Sequence, residues 1–150
     1  SHASAIKRCL DFKNIKVVSF GIRNLSKEEM DFYNKNKKRI KIFWANNKNK
    51  WSISEIRKIF KNKNVYITFD VDGFDASLMP ATGTPEPGGV FWDETMNIIK
   101  NVCSVSNIVG ADINELAPIK NFNSCNFLTA KLVYKIISYV FEFKSKYSNR

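Results

Sequence analysis

Apolar residues along this chain fall into two alternating patterns, short continuous runs and stripes spaced by three or four. Residues 15–20, 40–44, 65–69 and 108–111 are runs rich in β-branched and aromatic side chains, and each predicts a strand. Between them, stripes predict helices. Ile6, Cys9 and Leu10 mark one over residues 3–11. Met30, Phe32 and Tyr33 follow Ser26, which has Glu29 three positions on, and Ile53, Ile56, Ile59 and Phe60 follow Ser52, which has Glu55. Both are capping-box patterns, in which a hydroxyl and a carboxylate satisfy each other's amide donors. Residues 91–102 carry Phe91, Met96, Ile98 and Ile99, and a long helix over about 127–143 carries Leu128, Leu132, Val133, Ile136, Ile137 and Val140. The tail, 144–150, is polar. Strands alternating with helices predict βαβ units and an α/β fold with a mainly parallel sheet flanked by helices. No internal repeat or linker interrupts the pattern, so one domain, or part of one, is expected.

Composition changes this picture little. The 150 residues suffice for one core, and 44% hydrophobic with 25% charged residues is an ordinary globular balance. No apolar run approaches the roughly 20 residues of a membrane span. No apolar h-region follows Ser1-His2-Ala3-Ser4, so no secretory leader is expected. The net charge of +10 invites a nucleic-acid reading. Its lysines, however, sit in Lys-Asn stretches such as 34–41 and 46–50 without any nucleic-acid motif, so a solvated surface is the expectation and no nucleic-acid partner is assigned. Cys9, Cys103 and Cys125 have neither metal spacing nor disulfide pairing, which predicts reduced thiols, a cytoplasmic protein, and Cys9 and Cys103 on buried helix faces.

The chemistry concentrates after the 65–69 strand. Asp70 and Asp72 follow it directly, and strand alternation would point both to one side. Adjacent carboxylates repel unless a cation lies between them, and hard oxygens suit a divalent ion. A bare Asp-x-Asp also serves as a turn cap. Two features favour a site. The loop 79–89 is stiffened by Pro80, Pro85 and Pro87 and opened by Gly83, Gly88 and Gly89, and a second acidic cluster, Asp112 and Glu115, is expected to follow the next strand.

At these residues the chain resembles the ureohydrolase (arginase/agmatinase) family. The stretch from Thr68 to Gly89, with its Asp-x-Asp and its Thr-Gly-Thr-Pro loop, is similar to that family's signature. Asp112-Ile113-Asn114-Glu115-Leu116-Ala117-Pro118 is similar to its Asp-x-x-Glu-x-x-Pro segment. Ser1-His2-Ala3, Phe20-Gly21-Ile22-Arg23 and Phe127-Leu128-Thr129-Ala130-Lys131-Leu132 resemble agmatinase segments in the same order. The resemblance implies a three-layer α/β/α, arginase-like fold and a binuclear Mn²⁺ hydrolase that splits a guanidino group into urea and an amine, agmatine giving putrescine. It implies Asp70 and Asp72 as metal ligands, Glu115 as the grip on the guanidinium, Thr84 as a substrate-orienting residue and His2 as proton shuttle. It also implies a homo-oligomer when the protein is full length.

The family's Gly-Gly-Asp-His and Asp-Ala-His-x-x-Asp segments precede the Ser-His position and are not in this sequence, and His2 is the sole histidine. The chain is therefore expected to be the C-terminal part of a single ureohydrolase domain, with its sheet incomplete at the N-terminus, apolar faces left uncovered, and no activity on its own. Arginase or another guanidino-acid hydrolase is the nearest alternative function, and a non-catalytic remnant is a further one.

Overall fold

A computed structural model describes residues 5–144. The fold is α/β, with parallel strands flanked by helices: α1 (Ala5–Cys9), β1 (Val17–Ile22), α2 (Lys27–Lys35), β2 (Ile40–Trp44), α3 (Ile53–Phe60), β3 (Asn64–Asp70), α4 (Trp92–Val105), β4 (Asn107–Asn114) and α5 (Ser124–Lys144). The residues cluster into two compact units, one reaching to Asn49 and the other beginning at Lys50.

In the first unit β1 pairs with β2 in parallel, with Val17 opposite Ile40 and a register shift between Phe20 and Ile22. A parallel pair needs a crossover, and α2 supplies it. Ser26 and Glu29 form the full reciprocal box at its start, with bonds of 3.1 and 2.7 Å. Phe20 and Phe43 stack with centroids 4.6 Å apart. Arg39 ties down the approach to β1. Its guanidinium donates to the carbonyls of Leu10 (2.9 Å), Phe12 and Ile15 (3.1 and 2.9 Å), groups that the irregular stretch leaves without a ladder partner. Helix α1 buries nothing, so Cys9 is exposed, against the expectation of a buried face; Cys103 is buried as expected.

In the second unit β3 pairs with β4 in parallel, from Asn64 opposite Asn107 to Asp70 opposite Asn114. Side chains along β3 alternate. Val65, Ile67 and Phe69 are partly buried, while Tyr66, Thr68 and Asp70 are exposed. Ile67, Phe69, Ile108 and Ile113 lean on a core of Val71, Phe74, Met79, Val90, Ile99, Cys103, Leu132 and Ile136. Helix α4 packs against both α3 and α5, and α5 lies along β4. Burying a side chain such as Phe74 or Leu132 contributes about 1.5–3 kcal/mol. Strand β4 runs to Asn114, past the expected end at 111, because Asp112 and Asn114 find polar partners without leaving the ladder.

Candidate carboxylate site

The site stands where β3 ends. Asp70 is its last residue, and Val71–Gly73 then forms a single 3-10 turn. Alternation therefore does not carry Asp72 to the same side as Asp70, as the sequence had suggested. The turn brings them together instead, with the Asp72 amide donating to Asp70 Oδ1 at 3.1 Å. Thr84, from the Thr-Gly-Thr-Pro loop, donates its hydroxyl to Asp72 Oδ2 at 2.9 Å. The second acidic residue arrives from the neighbouring strand. Glu115 follows β4 directly in a left-handed conformation, φ 67°, close enough for its charge to act on Asp70. The Asp70 carboxyl is pushed up to about 6. Desolvation by the surrounding chain is the main cause, the Asp72 amide opposes it, and the charges of Asp72 and Glu115 add to it.

The loop over the site is braced by a third aspartate. Asp75 Oδ1 accepts from the Ser77 hydroxyl (2.6 Å) and amide (3.0 Å), and Oδ2 accepts from the Gly88 amide (2.7 Å). These bonds, the Ser77 hydroxyl first, pull its carboxyl down to about 2. The Gly73 carbonyl and the Asp75 amide pair with Val90 at 3.0 Å each. Gly89 passes so close that a Cβ there would lie 2.4 Å from the Phe74 carbonyl carbon, so only glycine fits.

On the exposed face of β3 and β4 lies a polar network that the sequence did not reveal. Asp112 lies inside β4, not after it. Its Oδ1 accepts from Thr68 Oγ1 at 2.8 Å and from Asn114 Nδ2, and Tyr66 stands close enough to act on the carboxylate. Burial works to raise the Asp112 carboxyl. The donors around it, Thr68 first, outweigh it and hold the group below the ordinary range. The one sequence signal for this network was the alternation that puts Tyr66, Thr68 and Asp70 on one face.

The structure thus brings Asp70, Asp72, Thr84 and Glu115 together, whereas His2 lies outside the described residues. As donors for a divalent ion, Asp70 and Asp72 are chemically apt, being hard, adjacent and mutually repelling oxygens. Among the described residues, however, no group of three His, Cys, Asp or Glu side chains is placed to hold a metal. The pair fits as part of a donor set and does not close one. No helix among the described residues is long and apolar enough to cross a membrane.

Residues 1–139 match the model of the arginase family. The N(1)-aminopropylagmatine ureohydrolase of Synechocystis is 37% identical over 93% of this chain and 45% of its own length. The agmatinase of Pyrococcus horikoshii is 30% identical over 91% of this chain and 47% of its own. Among solved structures, the agmatine ureohydrolase of Thermoplasma volcanium superposes with a TM-score of 0.80 at 29% identity, covering 97% of this chain and 49% of that one. The arginase of Medicago truncatula superposes at 0.75 with 26% identity, covering 93% and 45%. The chain spans about half the length of the curated relatives it matches.

Proposed function

This chain belongs to the arginase family, and from that membership we propose that it is the carboxylate-bearing part of a hydrolase that releases urea from a guanidino compound of the agmatine type. The observation that carries the proposal is the convergence of Asp70, Asp72 and Glu115 where β3 and β4 end, with Thr84 brought over from the loop.

Asp70 and Asp72 would help to hold a pair of Mn²⁺ ions in the full-length enzyme, as part of a larger donor set. When bound, such ions supply Lewis-acid activation of water at neutral pH. Thr84 holds Asp72 Oδ2 and so fixes the orientation of that carboxylate. Glu115 grips the guanidinium, a planar cation that a carboxylate can meet through two parallel hydrogen bonds. His2 carries the proton to the leaving amine, a task suited to imidazole near neutral pH. The proposal includes a cytoplasmic location and a homo-oligomeric full-length enzyme.

Agmatine, which would give putrescine, is the first substrate to test. N(1)-aminopropylagmatine is the second, favoured by the Synechocystis relative. The deciding experiment measures urea from the full-length Mn²⁺-loaded protein offered agmatine, N(1)-aminopropylagmatine, arginine and guanidinobutyrate in parallel. Urea from either of the first two, lost in Asp70→Asn and Asp72→Asn, supports the proposal. Urea from arginine or guanidinobutyrate alone would replace it, and urea from none of the four would end it.

A further inference from the structure

Glu115 sits in a left-handed backbone conformation, φ 67°, that a non-glycine residue resists. Such a residue persists only where its surroundings over-determine it. Downstream, the Ala117 amide donates to the Ala81 carbonyl at 2.9 Å and fixes the exit of the turn. Upstream, the restraint is the network on the exposed face. Asn114, the residue before Glu115, folds its side chain back along β4, donating to Asp112 Oδ1 and reaching Thr68 Oγ1 at 3.4 Å. Thr68 in turn stands two residues before Asp70 and directly opposite Asp112 in the ladder. Tyr66 completes the set. It lies opposite Gly110, where a Cβ would come within 2.7 Å of the tyrosine ring, so the missing side chain at 110 lets that ring lie across the strand beside Asp112.

We propose that Asp112 is a positioning residue: by gathering Thr68 and Asn114 on one carboxylate it locks the ends of β3 and β4 together and sets Glu115 beside Asp70. The inference rests on the reading of Glu115 as the guanidinium grip and goes beyond it by naming what aims that grip. Asp112 is suited to the task because a carboxylate accepts several hydrogen bonds at once, and bonds to a charged acceptor are stronger than neutral ones. Alanine there leaves the Thr68 and Asn114 donors without their shared acceptor and frees Asn114 to rotate. Asparagine keeps an acceptor oxygen for both.

The test is steady-state urea release from agmatine and from N(1)-aminopropylagmatine by the full-length Mn²⁺-loaded enzyme. Misaimed binding raises KM, whereas a smaller folded fraction lowers kcat and leaves KM alone. Asp112→Ala is expected to raise KM about tenfold with Mn²⁺ content unchanged, as for other residues that hold an active group from behind. Asp112→Asn is expected to restore KM to near the wild-type value. Should Asp112→Ala fail to fold, Thr68→Val removes one donor from the same carboxylate and is expected to raise KM about threefold, the effect of one lost hydrogen bond. An unchanged KM in Asp112→Ala or, in its place, Thr68→Val overturns the proposal, and so does an Asp112→Asn enzyme no better than the alanine variant. A wild-type enzyme that releases no urea from either substrate sinks the reading of Glu115 and this inference with it. An active wild-type enzyme with an unaltered KM in the variants sinks only the inference.

Discussion

At the scale of single residues, Asp70 and Asp75 show how five positions reverse a carboxyl group's chemistry. Asp70 faces other acids and desolvation by the surrounding chain and is pushed up to about 6, while Asp75 collects donors from Ser77 and Gly88 and falls to about 2. The sign for Asp75 is that of a depressed acid. Its contribution to stability is present above the ordinary value of 3.8 and is lost as pH falls toward about 2. Asp75→Ala is therefore expected to melt below the wild type at pH 7, with the gap closing between pH 4 and pH 2. Thermal melts across that range check it, and a gap independent of pH would refute it. For Asp70 and Asp72 the expectation is catalytic. Replacing either by asparagine in the full-length enzyme should reduce urea release by more than the roughly 10–100-fold seen for groups that support a ligand from behind. The sequence made this pair legible as a pair but gave the wrong reason. The 3-10 turn at Val71–Gly73 joins them, the turn-capping use of Asp-x-Asp that the sequence also allowed, with the Asp70 side chain accepting from the Asp72 amide. Asp112 was legible only as an acid near the site, because Asp-Ile-Asn lacks the apolar run that marks a strand.

Elements were easier to read where their signals were local. The Ser26–Glu29 box, the Ser52 cap on the Glu55 amide and the β-branched run into Asp70 all stand where short-range chemistry puts them. The start of α4 was less legible. Phe91 offers no side-chain acceptor, and the Glu94 carboxylate answers the Phe91 amide at 2.8 Å. The sequence marks the loop 79–89 by its prolines and glycines, yet the tightest constraint there is the backbone of Phe74 against Gly89. Gly89→Ala must displace main chain and is expected to cost about 1–3 kcal/mol, in the range of an overpacked core. Gly83→Ala meets nothing within 4 Å and should cost far less. Urea denaturation of the two variants side by side checks the contrast, and equal midpoints would contradict it.

On the scale of the whole molecule, α5 is the element whose two sides tell different stories. Leu132 and Ile136 are buried, while Phe127, Tyr134, Ile137 and Phe141 are 73, 63, 50 and 67% exposed. The last four recur at intervals of seven, three and four, which sets them along one stripe of the helix. The sequence showed an apolar helix but not that half of it stays open, because hydrophobic residues on both sides read simply as core. A stripe of this kind favours association, and the net charge of +10 opposes it. The 150-residue chain is accordingly expected to associate more as salt screens its charge. Phe127→Glu combined with Phe141→Glu should suppress this, as sedimentation velocity at two salt concentrations would show. Association insensitive to both changes would place the contact elsewhere.

The left-handed turn at Glu115 sets durability against turnover. Glycine or asparagine is more at ease in that conformation, and either would relieve strain worth about 1 kcal/mol. A saturation library at position 115 sorted by heat alone would drift toward those two residues and, on the role proposed for Glu115, enrich enzymes that no longer hold their substrate. Anyone hardening this protein for use should keep that codon out of the screen.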